Sequence, residues 1–139
     1  CRSRLLFWGA WMANELTATI SLSYEDIAGM TGSFELADLV LTLATARLNC
    51  TKQSVATSQE AVLLGDVATL GIMLLANLDT TNYIEVKTAT SGTVFAKLFP
   101  KDSAAGLSWC CNQVGSGVTA PFVIANSSAC EMLVFLCAL

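Results

Sequence analysis

The chain has 139 residues, of which 54% are hydrophobic and 13% charged, with a formal net charge of −4. That length supports one domain with a real core. The seven Lys/Arg form no cluster, which argues against binding nucleic acid through a basic face, and no run of about 18 uncharged apolar residues is present to span a membrane as a helix.

The charged fraction is about half the usual ~25%. A lone domain of this size cannot hide so much apolar surface, so part of it is expected to meet another protein chain. A transmembrane barrel needs many strands of about ten residues and an aromatic girdle. The eleven aromatics here are spread along the chain instead.

Residues 1–11 (CRSRLLFWGAW) differ in character from the rest of the chain, and Met12-Ala13-Asn14-Glu15-Leu16 has the look of a natural start. They read as an upstream in-frame translation, a non-native leader. The rival reading is a signal peptide, because Arg2 and Arg4 precede Leu5-Leu6-Phe7-Trp8. Without Arg2 and Arg4, five Lys/Arg face eleven Asp/Glu and the remainder, residues 12–139, carries −6. Those residues are expected to form a single domain.

Residues 16–24 alternate: Leu16, Ala18, Ile20, Leu22 and Tyr24 point one way, and Thr17, Thr19, Ser21 and Ser23 the other. A period of two predicts a half-buried strand. Residues 25–32, with two glycines, read as a loop. Residues 38–48 fit helix or strand, and the β-rich surroundings favour strand. Residues 52–57 and 60–64 are short strand candidates. Residues 69–77 are almost wholly apolar, as in a strand buried on both faces. Asp79-Thr80-Thr81-Asn82 is a polar turn before the alternation of residues 83–88. Ser91-Gly92 separates that strand from residues 93–99 and predicts a hairpin. Pro100-Lys101-Asp102 turns the chain out. Residues 107–113, 118–125 and 129–139 are further strands, punctuated by Gly115-Ser116-Gly117 and Asn126-Ser127-Ser128. The sum is an all-β, antiparallel β-sandwich, jelly-roll-like, of about eight to ten short strands.

Groups that carry chemistry are scarce. With no His, a Ser-His-Asp or Cys-His arrangement and zinc held by histidine are both excluded. The six cysteines (Cys1, Cys50, Cys110, Cys111, Cys130 and Cys137) show no paired CxxC spacing. Cys110 and Cys111 face opposite sides of a strand. The thiols are expected to be free, mostly buried small hydrophobes, and Trp109 is expected in the core. Glu25, Asp26, Asp66 and Asp79 sit at loops or turns, where Asx turns and solvated surface are the ordinary use. Asp79 with Asn82 lacks the clustered oxygen ligands of a calcium loop. Asn49-Cys50-Thr51 and Asn126-Ser127-Ser128 fit an N-glycosylation pattern that counts only in a secretory setting. No catalytic, cofactor-binding or metal-binding residue is assigned.

Leu64-Gly-Asp-Val-Ala-Thr69, Gly71, and Ala76-Asn-Leu-Asp-Thr-Thr-Asn-Tyr83 together resemble a motif of small virion proteins of tailed bacteriophages. Lys97-Leu98-Phe99-Pro100-Lys101-Asp102 is similar to that family's Lys-Leu-x-Pro-Gly-Glu turn, with Lys101 where the family has Gly. Residues 121–130 (PFVIANSSAC) are similar to the run before its last strand. The likeness spans roughly residues 12–139 and rests on turns. The chain departs from the family pattern in its cysteine content and in ending on Cys137-Ala138-Leu139.

The resemblance implies a β-sandwich that assembles on a particle, either as a capsid decoration or cement subunit or as a tail-associated one. It brings no catalytic residue with it. The implied partners are the chain itself, a homo-oligomer with a trimer favoured by analogy, and other virion proteins. No membrane, nucleic acid or cofactor is expected, and the implied location is the virion. A carbohydrate-binding sandwich is the alternative, with Tyr24, Tyr83 and Trp109 as its candidate aromatics. An enzyme with a carboxylate pair ranks below both.

Overall fold

The computed structural model describes residues 15–27, 30–42, 47–113 and 120–138, and every regular element among them is a β-strand. In chain order these are β1 (Glu15–Ile27), β2 (Met30–Thr42), β3 (Leu48–Val55), β4 (Glu60–Ala61), β5 (Ile72–Asn77), β6 (Ile84–Lys87), β7 (Val94–Leu98), β8 (Trp109–Gln113), β9 (Phe122–Ala125) and β10 (Cys130–Cys137). Contacts divide the chain into two compact units, residues 1–44 and 45–139. The expectations for residues 1–11 and for Gly115-Ser116-Gly117 lie outside the described residues.

The first unit holds the β1–β2 antiparallel ribbon. Its register sets Leu16 opposite Leu41, Ala18 opposite Leu39, Ile20 opposite Leu36 and Leu22 opposite Phe34. The alternation of residues 16–24 therefore does form a strand, and Thr17, Thr19 and Ser21 are exposed. Residues 25–27 and 30–32, expected in a loop, belong to the strands. Pairing continues through Tyr24–Gly32 and Ile27–Met30, past a register shift after Tyr24. Residues 38–42 are strand, as the β-rich context suggested.

The second unit is an antiparallel β-sandwich of two four-stranded sheets. Sheet I has the order β3-β10-β5-β8 and sheet II the order β4-β9-β6-β7. Eight strands in these orders make a jelly roll, two interlocked Greek keys. The predicted β6–β7 hairpin is present, with a bulge after Val86. The turn at residues 78–83 joins two strands of different sheets, so it is a crossover and not a hairpin.

The two inner faces meet in one core. Val55, Met73, Leu75, Met132, Val134 and Leu136 come from sheet I, and Ile84, Val86, Leu98, Val123 and Ala125 from sheet II. Val62, Val67 and Leu70 close it from the β4–β5 connection. Burial largely alternates along the strands, with β10 running buried, exposed, buried, half-buried from Cys130 before ending on two buried residues. This alternation decides which residues are left on the outside.

Candidate functional site

The most distinctive sequence motif, Asn77-Leu78-Asp79-Thr80-Thr81-Asn82, is a clasp between the sheets. Asn77 ends β5 and is 1% exposed. Its Nδ2 donates to the carbonyl oxygens of Asn82 (2.7 Å), Phe99 (3.1 Å) and Leu98 (3.2 Å), and its Oδ1 accepts from the Asp79 N–H at 3.0 Å. Asp79 Oδ1 accepts from the N–H groups of Thr81 (2.7 Å) and Asn82 (2.6 Å). Those backbone donors hold its carboxyl below the usual carboxylate range. Asn82 Nδ2 donates to Ser128 Oγ at 2.8 Å, and Asn82 Oδ1 accepts from Ser127. Asn126 Oδ1 accepts from the Tyr83 N–H at 3.0 Å. The oxygens that a cation would need are thus spent on the protein itself. Among the described residues, no three acidic or thiol side chains converge as metal ligands.

A second side-chain clasp lies at the corner between β3 and β4. Gln53 is 4% exposed. Its Nε2 donates to the Ala61 carbonyl and its Oε1 accepts from the Leu63 N–H, both at 3.0 Å. Asn49 Nδ2 donates to the Leu63 carbonyl at 3.1 Å and lies against Gly65, whose φ of 58° needs a glycine.

The outer face of sheet I is a different kind of surface. Strand register arranges it in rows across β3, β10, β5 and β8. One row is Lys52, Leu133, Ala76 and Trp109, the next is Cys50, Phe135, Leu74 and Cys111, and the third holds Leu48, Cys137 and Ile72. Leu48 is 53% exposed and Trp109 39%, Cys50 and Cys111 are exposed, and Leu74, Ala76, Leu133 and Phe135 are half-buried. Cys137 and Ile72 in the third row are buried. The charges of β3 and β10 lie at one end of this face, Lys52 beside Glu131, and they pair with each other at 3.7 Å. A monomer gains nothing from presenting two rows of apolar side chains to water.

Sheet II is charged outside. Glu85, Lys87 and Lys97 stand among Phe95, Phe122 and Ile124. Lys97 Nζ lies 3.5 Å from the centroid of the Tyr83 ring and 5.6 Å from that of Phe99, a cation–π stack. Beside it a 200 Å³ hollow is lined by Thr57, Tyr83, Glu85, Ile124, Ala125 and Asn126. Tyr83 and Trp109 belong to opposite sheets and form no common platform for a sugar.

Two expectations need correction. Trp109 is not a core residue. It opens edge strand β8 in register with Ala76, and that register turns it to the outer face. The described cysteines are free, but they are not mostly buried: Cys130 and Cys137 are buried, Cys110 is half-buried, and Cys50 and Cys111 are exposed. Register explains the difference between Cys110, which faces the core, and its neighbour Cys111, which faces out; Cys137 lies on the outer side of β10 and is covered all the same. Burial raises the pKa of the thiols of Cys110, Cys130 and Cys137.

No family model, curated protein or solved structure matches this chain.

Proposed function

We propose that this chain is a structural virion protein of a tailed phage, a capsid decoration or cement subunit or a tail-associated one, that acts by protein–protein assembly. The observation that carries the reading is the apolar outer face of sheet I. A sandwich needs one apolar side per sheet to close its core, and sheet I has two. The second side is of use only against another protein. The resemblance of its turns to those of small phage virion proteins suggests the setting, and the clasp built from these turns serves the fold, as suits a protein whose work is to be a rigid block.

The test is cosedimentation of the purified chain with capsids and with tails of a phage that encodes it. Binding that saturates at a fixed ratio to one virion component is the expected result. A protein that stays wholly in the supernatant with both would overturn the reading. Retention on a glycan array without particle binding would promote a carbohydrate-binding module in its place.

A further inference from the structure

We infer that copies of this chain associate with one another through the outer face of sheet I, about an axis running along its strands. The inference rests on the assembly reading and names the first partner: a second copy.

Three observations favour a like partner. The first is charge. The whole chain is −4, so two copies repel over most of their surface. The outer face of sheet I carries one cation and one anion that neutralise each other, Lys52 and Glu131. Two copies meet there without that penalty, whereas a charged partner finds nothing to pair with. The second is size. Four strands at about 4.8 Å and the two open rows at about 6.8 Å make a slab of roughly 260 Å² in projection, and the exposed Leu48 extends it. With side-chain relief, two slabs bury on the order of 700 Å², the scale of a weak, concentration-dependent contact.

The third observation sets the axis. Polarity changes along the strands, from Lys52 and Glu131 at one end to the exposed Leu48 at the other, where Cys137 and Ile72 are already covered. An axis across the strands lays the charged end of one copy over the apolar end of the next and buries charge against hydrocarbon. An axis along the strands keeps the charged ends together at a wet rim. It also brings the β3 side of one copy to the β8 side of another, whether the symmetry is twofold or threefold. Lys52 then meets the indole of Trp109 in the partner copy, a cation–π contact, and Cys50 approaches Cys111.

The two exposed thiols make the geometry testable in the unmodified chain. Glutathione disulfide oxidises a Cys50 thiol and a Cys111 thiol to one intermolecular disulfide and is itself reduced to two glutathione, with both thiol protons passing to the released glutathione thiolates. The full chain is purified reduced, its mass measured by light scattering, then oxidised and mapped by peptide mass spectrometry. The expected result is an oligomer in the reduced sample and a Cys50–Cys111 cross-link after oxidation. Cys50→Ser and Cys111→Ser should each abolish that cross-link, and mixing the two variants should restore a singly linked dimer. Phe135→Lys should raise the dissociation constant at least a hundredfold while circular dichroism stays β-type, and Ile124→Lys on sheet II should leave it unchanged.

A monomer at micromolar concentration, or cross-links of Cys50 to Cys50 and Cys111 to Cys111, would overturn the inference. A monomer that still binds capsids or tails would overturn it while leaving the virion reading intact. An oligomer with the expected cross-link that binds no particle would support it while removing the virion reading.

Discussion

The two sheets of the sandwich are alike where they face each other and unlike where they face away. Inside, both present aliphatic side chains, Val, Leu and Met from sheet I and Ile, Val, Leu and Ala from sheet II. Outside, sheet II carries Glu85, Lys87 and Lys97, and its aromatic Tyr83 is capped by a lysine of its own sheet. Sheet I carries Trp109, Leu74, Phe135 and Leu133, with charge confined to one end. One fold and one core thus leave two surfaces with different physical fates. Sheet II mixes its charges with exposed apolar groups, and sheet I is the face that a partner covers under the assembly proposed above. The lesson is that apolar residues reach the surface on both faces, but only on sheet I do they line up in adjacent rows with the charge held at one end.

Several variants separate what holds the sheets together from what each face does. The largest effect is expected at Asn77, on which both faces depend. Asn77→Ala leaves three carbonyls and one N–H of the clasp without their partner, and should cost about 3 kcal/mol in denaturant unfolding. If the loss stays under about 1 kcal/mol, the clasp does not hold the sandwich.

A paired truncation probes the difference between the faces directly. Trp109→Ala should weaken self-association by tenfold or more in a dilution series while costing the fold about 1 kcal/mol or less. Phe122→Ala on sheet II should show the reverse, a fold loss of about 1 kcal/mol or more with unchanged association. Equal effects on association would erase the distinction between the faces.

Acid should act on the clasp and on neither face. The folded pKa of Asp79 lies below its unfolded value, so its contribution is present in full above the unfolded value and is lost as pH falls through the folded one. Urea midpoints taken between neutral pH and pH 3 should therefore drop, and the drop should be smaller in Asp79→Asn. Identical acid limbs would show that another group governs the response.

The smallest effect is a control that touches stability alone. Asp102 has a φ of 64° in the turn closed by the Ser103 N–H to Pro100 carbonyl bond at 3.1 Å. Asp102→Gly removes the steric cost of that conformation and should raise stability by about 0.5–1 kcal/mol, read from the thermal midpoint, with association unchanged.

Much of this fold was legible in the sequence, because strand periodicity survives whatever the strand packs against. The alternation at residues 16–24 and the doubly apolar segment at 69–77 both mark strands that form. Sheet membership was not legible. Asp79-Thr80-Thr81-Asn82 reads the same whether it closes a hairpin or carries the chain between sheets, and only the distant partners of Asn77 and Asn82 decide that. The face of sheet I was hidden for a related reason. Leu48, Leu74, Trp109 and Phe135 are far apart in sequence, and each looks like a core residue until register puts them side by side. Trp109 shows the limit most clearly, since a tryptophan at the start of a short strand carries no local sign of which way it points.

The strand that runs through the middle of that face is also the one that reaches furthest back along the chain. In β10, Cys137 pairs with Leu48 and Cys130 with Val55. Contacts between such distant stretches form late, because the loop between them must close first. Until β10 slots between β3 and β5, those two strands are not neighbours, and every row of the face lacks its second member. An incompletely folded chain therefore offers no surface for a finished copy to recognise. Under the proposed self-association, timing becomes a form of quality control: closure of the chain comes first and association second, in an order set by topology.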